Sequence, residues 1–205
     1  MRGYILNLKK HREEDVIAAI LCPDRLFSLY RFYGARHSPL QLGHKIDFVA
    51  ENDPFFMPRL RQVSHLGFNW LFDIERVRAW QQFCKLLFAH LRQVEEIDPF
   101  YYDLLDRAGG KLETMHPKRT MIEAAIELFN YEGRLHTELR CHQCGRVIDD
   151  DFVALQRACL PAHTLCIYAD GFDRRKLARL FETGESLLFN DQEIASLWRV
   201  ILEGL

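Results

Sequence analysis

The residue types with the clearest chemical meaning lie between positions 141 and 166. Cys141 and Cys144 form a CxxC pair, 18 residues follow, and His163 and Cys166 form an HxxC pair. Three thiolates and one imidazole are a donor set for tetrahedral zinc, and two-residue spacers let both members of a pair reach one cation from a tight turn. Gly145, directly after the first pair, suits the point where the backbone must turn back towards the metal. Cys159 is an alternative third ligand, but HxxC supplies the more compact pair, so His163 is preferred. His142, inside the first pair, is expected to point away. Four protein donors leave no position for water, so Zn2+ here is expected to be structural, folding the loop without cutting a bond.

Other chemistry fits this segment less well. A redox CxxC wants a thioredoxin-like strand-to-helix context that the region lacks, and ordinary buried or surface thiols would not need four candidates so close together. His136-Thr137-Glu138 followed by CHQC resembles the HxE and PCxxC parts of a zinc deaminase, but two residues separate the halves and no proline precedes Cys141. No GxxxxGK[ST], GxGxxG, HExxH or GxSxG motif occurs. The acidic runs Glu95-Glu96-Ile97-Asp98 and Asp149-Asp150-Asp151 read as solvated loops, with a metal-dependent nuclease as the rival they would serve. The chain is expected not to be an enzyme.

The elements that would position these residues fall into two parts. Up to about residue 70, RGYILNL, DVIAAIL, RLFSLYRFYG, LGHKIDFVA and RLRQVSHLGF are rich in aromatic and β-branched residues and are separated by charged or Pro/Gly-containing breaks. Five short strands suggest a small barrel or sandwich. Apolar residues on both sides of LFSLYRFYG point to a strand buried on two faces. From about residue 74 the period changes: Val77, Trp80, Cys84, Leu87, Phe88 and Leu91 recur at steps of three and four. Further helices are predicted from Phe100 to about Leu112, from Pro117 to Gly133, over Arg174–Phe181 and over Asp191–Leu202, the last with Asn190 as N-cap and Glu193 three residues on. The fold class is therefore α+β, with a β-rich domain over 1–73 and a helical domain over 74–205 that carries a zinc-finger-like element at about 139–170.

Charge says where a polyanion could bind. The formal net charge is -2, from 27 basic and 29 acidic residues, so no global field attracts nucleic acid. Locally the balance differs: between Arg25 and Arg61 six basic residues (Arg25, Arg31, Arg36, Lys45, Arg59, Arg61) face three acids (Asp47, Glu51, Asp53), with Lys9 and Lys10 at an adjacent strand end. Such a patch would hold phosphates by counterion release, and Tyr30, Phe32 or Tyr33 would stack on bases unless they are core. The apolar run in MRGYILNLKK is too short for a signal peptide or a membrane span, so a cytoplasmic location is expected.

The stretch YRFYGARHSPLQLGHKIDF, residues 30–48, with its Gly34-Ala35-Arg36 motif, resembles the start of the RecO family of bacterial recombination mediators. The likeness continues through GYILNL, the helical middle, GRLHTELRCHQCG and LPAHTLC, and is to the divergent epsilonproteobacterial form in particular. Where the commoner family pattern has two CxxC pairs, this sequence has HxxC in second place. The resemblance implies an N-terminal OB-fold barrel, a helical domain and a zinc-bearing element. It implies binding to single- and double-stranded DNA, strand annealing, a complex with RecR, and help in loading RecA onto DNA coated by single-stranded-DNA-binding protein, in the cytoplasm at the nucleoid. Beside this resemblance, the local excess of basic residues gives the expected DNA-binding set: Lys9, Lys10, Arg31, Arg36, His37, Lys45, Arg59 and Arg61. The rival from another class is a protein-interaction module with no DNA role, presenting Phe55, Phe56, Trp70 and Phe72.

Overall fold

The structure, a computed structural model, describes residues 1–33 and 40–205. The Gly34-Ala35-Arg36 motif and His37 lie outside the described residues. The chain divides into two compact units, Met1–Thr114 and Met115–Leu205.

In the first unit, β1 (Arg2–Lys10), β2 (Val16–Leu21), β3 (Leu26–Arg31), β4 (Lys45–Glu51) and β5 (Arg59–His65) close into a barrel in the order 1-2-3-5-4. All pairings are antiparallel except β3 with β5, and β4 pairs back to β1. That is the five-stranded Greek-key closure of an OB fold. Register shifts at Ile5/Asn7 in β1 and Asp47/Val49 in β4 mark the irregularities that let so few strands curl round. Ile5, Ile20, Leu29, Ile46, Phe48 and Leu60 fill the interior.

A 3-10 turn (Asn69–Phe72), α1 (Ile74–Leu91) and α2 (Pro99–Lys111) complete this unit. Asp73 caps α1 by accepting from the Glu75 and Arg76 amides, and Asp98 caps α2, whose first residue is proline. β1 is buried on both faces: Ile5 points into the barrel, while Tyr4 meets Phe68, Trp80 and Tyr102 at centroid separations of 6.4, 5.8 and 5.5 Å. Gly43 belongs to the same junction, with φ at 83° and a Cβ position only 2.6 Å from the Trp80 ring, so no other residue fits there without a shift. Its carbonyl accepts the Trp80 indole N–H at 2.7 Å.

The expectation that LFSLYRFYG is buried on two faces is corrected. In β3 only Leu29 is buried, and Phe27 packs inward beside it, whereas Tyr30 lies on the outer face and Phe32 beyond the strand is largely exposed. The strand twice buried is β1, because the helices cover β1 and leave the outer face of β3 open.

The second unit holds α3 (Pro117–Tyr131), the strands β6 (Phe152–Gln156), β7 (Leu160–Ala162) and β8 (Phe172–Asp173), and the helices α4 (Thr164–Ile167), α5 (Arg174–Thr183) and α6 (Asp191–Leu202). The strands form one small sheet in the order 7-6-8. The Asn190/Glu193 capping box opens α6, which packs on α3.

Candidate metal centre and nucleic-acid interface

Cys141, Cys144, His163 and Cys166 present ligand atoms that all lie within 4.8 Å of one another. The first pair sits on a tight ribbon: the Gly145 amide donates to the Cys141 carbonyl at 2.8 Å, the Cys141 amide to the Arg146 carbonyl at 2.8 Å, and Gly145 takes φ 72°. The second pair comes from the end of β7, where His163 caps the short helix α4 and Cys166 donates its amide to the His163 carbonyl at 3.0 Å. His163 turns Nδ1 to the sulfurs, 3.4 Å from Cys144 Sγ and 3.7 Å from Cys166 Sγ. A tetrahedron with bonds of roughly 2.0–2.3 Å has edges of about 3.3–3.8 Å, so these separations fit a single ion held by four protein donors.

The electrostatics agree with a cation at this point. Burial opposes ionisation of Cys141, but amides of His163, Cys144 and Gln143 directed at its sulfur bring the thiol down to about 6. Desolvation and then the sulfurs of Cys141 and Cys144 push Cys166 up to about 11, because a further thiolate there would meet negative charge. A bound cation removes that conflict. His142 points away as expected, with Nδ1 on the Pro161 carbonyl at 3.0 Å. The alternative ligand Cys159 is set aside: it is 1% exposed, lies outside the four-donor cluster, and burial alone pushes its thiol up to about 12.

The barrel offers a different kind of site on its outer face. Cross-strand partners share a face of a sheet, and here Lys9 pairs with Ile17, Ile17 with Tyr30, and Tyr30 with Arg59. One row therefore crosses four strands, with a cation at each end and an apolar and an aromatic residue between. Beside it runs a groove of about 430 Å³ between the β1–β2 loop, which gives His11 and Arg12, and the β4–β5 loop, which gives Phe56 and Met57. Its aromatic wall is ordered by ring contacts: His11 lies edge-on to Tyr30 at 5.7 Å, Tyr30 meets Phe32 at 4.9 Å, and the Arg59 guanidinium sits 5.5 Å over the Phe32 ring. Phe55 and Phe56 stand out from the loop, 86% and 71% exposed. Asp15 anchors the wall by accepting from the Tyr30 hydroxyl and, at 3.0 Å, from the Tyr33 amide; these two bonds hold its carboxyl below the usual range.

The basic residues singled out from sequence do not all meet here. Lys9 and Arg59 lie on the row. Lys10 is exposed at the end of β1, and Arg31, across Val16 from it, donates to the Leu60 carbonyl at 2.9 Å. Arg61 is paired with Glu51 at 3.0 Å and Arg59 with Asp53 at 3.4 Å, both partly exposed pairs that a phosphate can replace. Lys45 is elsewhere: its ammonium bonds Asp106 at 2.6 Å and lies over the Tyr4 and Tyr102 rings at 5.4 and 5.3 Å, on the helix side of the barrel. Arg25 pairs with its neighbour Asp24. Arg36 and His37 fall outside the described residues.

Residues 1–71 match the family described as RecO N terminal. The barrel is similar to RecO N-terminal domains. No curated protein matches the chain. Within this barrel, His11, Arg12, Phe56 and Met57 are the groove residues that charge counting along the chain missed. The usable signal was topological: in an OB fold the β1–β2 and β4–β5 loops flank the binding face, and both loops of this barrel can be read off the breaks between its strands.

Proposed function

We propose that this chain is a recombination mediator that lays a DNA strand along the row Lys9–Ile17–Tyr30–Arg59 of its RecO domain. The match of residues 1–71 supports a RecO-like role in DNA repair and recombination. The observation that carries the binding mode is the row itself, with its aromatic groove between the two loops. Cations at its ends suit phosphates, and Tyr30, Phe32 and Phe56 offer faces on which unpaired bases stack, sequence-tolerant contacts worth roughly 1–3 kcal/mol per base. Such a track reads few base edges, so no sequence preference accompanies it.

Single strands held with their bases exposed are substrates for annealing, and the proposal extends to duplex binding, a complex with RecR and loading of RecA onto DNA coated by single-stranded-DNA-binding protein, in the cytoplasm at the nucleoid. The four-donor cluster is proposed to hold structural Zn2+, which tetrahedral thiolate and imidazole ligands suit. With all four donors supplied by protein, that ion fastens β7 and α4 to the Cys141–Gly145 ribbon and takes no part in bond cleavage, so the function proposed is non-catalytic.

The test is fluorescence anisotropy of labelled single-stranded oligonucleotides across a salt series, followed by strand annealing with and without a RecR partner. Tight, salt-dependent binding and annealing are expected. A chain that binds no oligonucleotide even at low salt leaves the protein-interaction alternative, and magnesium-dependent cleavage of the oligonucleotide leaves the nuclease.

A further inference from the structure

Phe72 and Ile74 stand in water where the 3-10 turn meets α1, at 95% and 76% exposure. Neighbouring Trp70 is buried, its indole N–H on the Gly109 carbonyl at 2.8 Å, so the turn has a packed side and an open one. Phe72 and Ile74 form a ridge, since both line two separate grooves. On one side is a concavity of about 890 Å³ with Glu75 and Glu113 at its edge. On the other a groove of about 350 Å³ runs along α1 past Arg78 to Lys85. Ile74, Arg78, Gln81 and Lys85 recur at helical spacing, so ridge and basic strip belong to one face of α1. Asp73 and Arg76 neutralise each other, whereas among the described residues Glu75, Glu113, Arg78 and Lys85 enter no ion pair.

We infer that this ridge is the two-fold interface of a homodimer. An apolar ridge with anions on one flank and cations on the other is self-complementary. A two-fold rotation brings Glu75 and Glu113 of each copy against Arg78 and Lys85 of the other, while each ridge enters the opposite groove. A partner carrying one sign of charge would meet repulsion on one flank, and this favours a second copy over a uniformly acidic or basic ligand. The patch is small, so the dimer is weak and dissociates on dilution. It does not depend on the DNA track, which uses other residues.

Sedimentation velocity of the full chain, from low to high micromolar concentration, tests this. A reversible monomer–dimer equilibrium that weakens with salt is expected. Phe72→Asp, Arg78→Glu with Lys85→Glu, and Glu75→Lys with Glu113→Lys should each leave only monomer, with the far-ultraviolet circular dichroism of the parent. Mixing the two charge variants makes both flanks attractive again, and the mixture should dimerise at least about tenfold more tightly than either variant alone. A parent chain that stays monomeric throughout, a dimer indifferent to Phe72→Asp, or charge variants that gain nothing on mixing overturns the interface.

Discussion

The Lys45 ammonium lies 2.6 Å from the Asp106 carboxylate, joining β4 to α2. Partial burial acts to weaken that ammonium's basicity, but Asp106 beside it prevails and raises its pKa. Lys45→Met should therefore cost stability, on the order of 1–3 kcal/mol because Asp106 loses a charged donor, and leave oligonucleotide affinity unchanged. Urea unfolding and anisotropy on the same preparation decide it; weaker DNA binding at unaltered stability would return Lys45 to the DNA-binding set.

The groove makes the opposite demand. Arg59→Glu should weaken single-strand binding and lower the salt slope by about one contact, with little loss of stability since its pair with Asp53 is partly exposed. Phe56→Ala should weaken binding by roughly 1–3 kcal/mol while leaving the salt slope alone. Slopes from the salt series separate the two effects, and equal slopes for parent and Arg59→Glu would remove Arg59 from the phosphate path.

The metal centre predicts one ion per chain. Cys144→Ser or Cys166→Ser should abolish it and expose the segment around residues 139–170 to protease, since ligand binding there is folding energy. Cys159→Ser should keep full metal content while losing thermal stability, because it places a hydroxyl in a dry site. Metal analysis by plasma mass spectrometry reads both; loss of the ion in Cys159→Ser would make Cys159 a ligand after all.

A pH effect follows from His44, whose Nδ1 lies 3.0 Å from Nδ1 of His65. Burial first, and His65 second, bring the His44 ring down to about 4. The unfolded chain takes up a proton near the ordinary imidazole value of about 6.5 while the folded chain does not, so stability is intact above that pH and falls as pH drops towards 4. The partly buried ring contributes roughly 1–3 kcal/mol to this fall. Denaturant titrations between those limits should show the slope in the parent and a flatter one in His44→Asn.

Much of this architecture was legible in sequence because local patterns decide it. The CxxC and HxxC spacings give the metal cluster, proline and the Asn190/Glu193 box give helix starts, and aromatic runs give the barrel strands. The strands β6 to β8 were not legible, being short and interrupted, and one holds Pro161; tertiary packing, not periodicity, makes them a sheet. The placement of the basic residues was only partly legible for a similar reason. Sequence distance cannot tell that Lys9 and Arg59, fifty positions apart by number, share a row while Lys45 turns to the helices. That difference is a matter of barrel register, and register is set by which face of each strand the core claims.

The aromatic junction around Gly43 and Trp80 also fixes where the molecule can be divided. The family match stops at residue 71, yet Tyr4 and Gly43 have their covering side chains at positions 80 and 102. A fragment trimmed to the matched segment would lose its lid and turn a sheet of tyrosine and phenylalanine to solvent, a sticky surface prone to clump. One that continues to Thr114 keeps the lid, so the smallest piece able to stay in solution by itself is longer than its family signature.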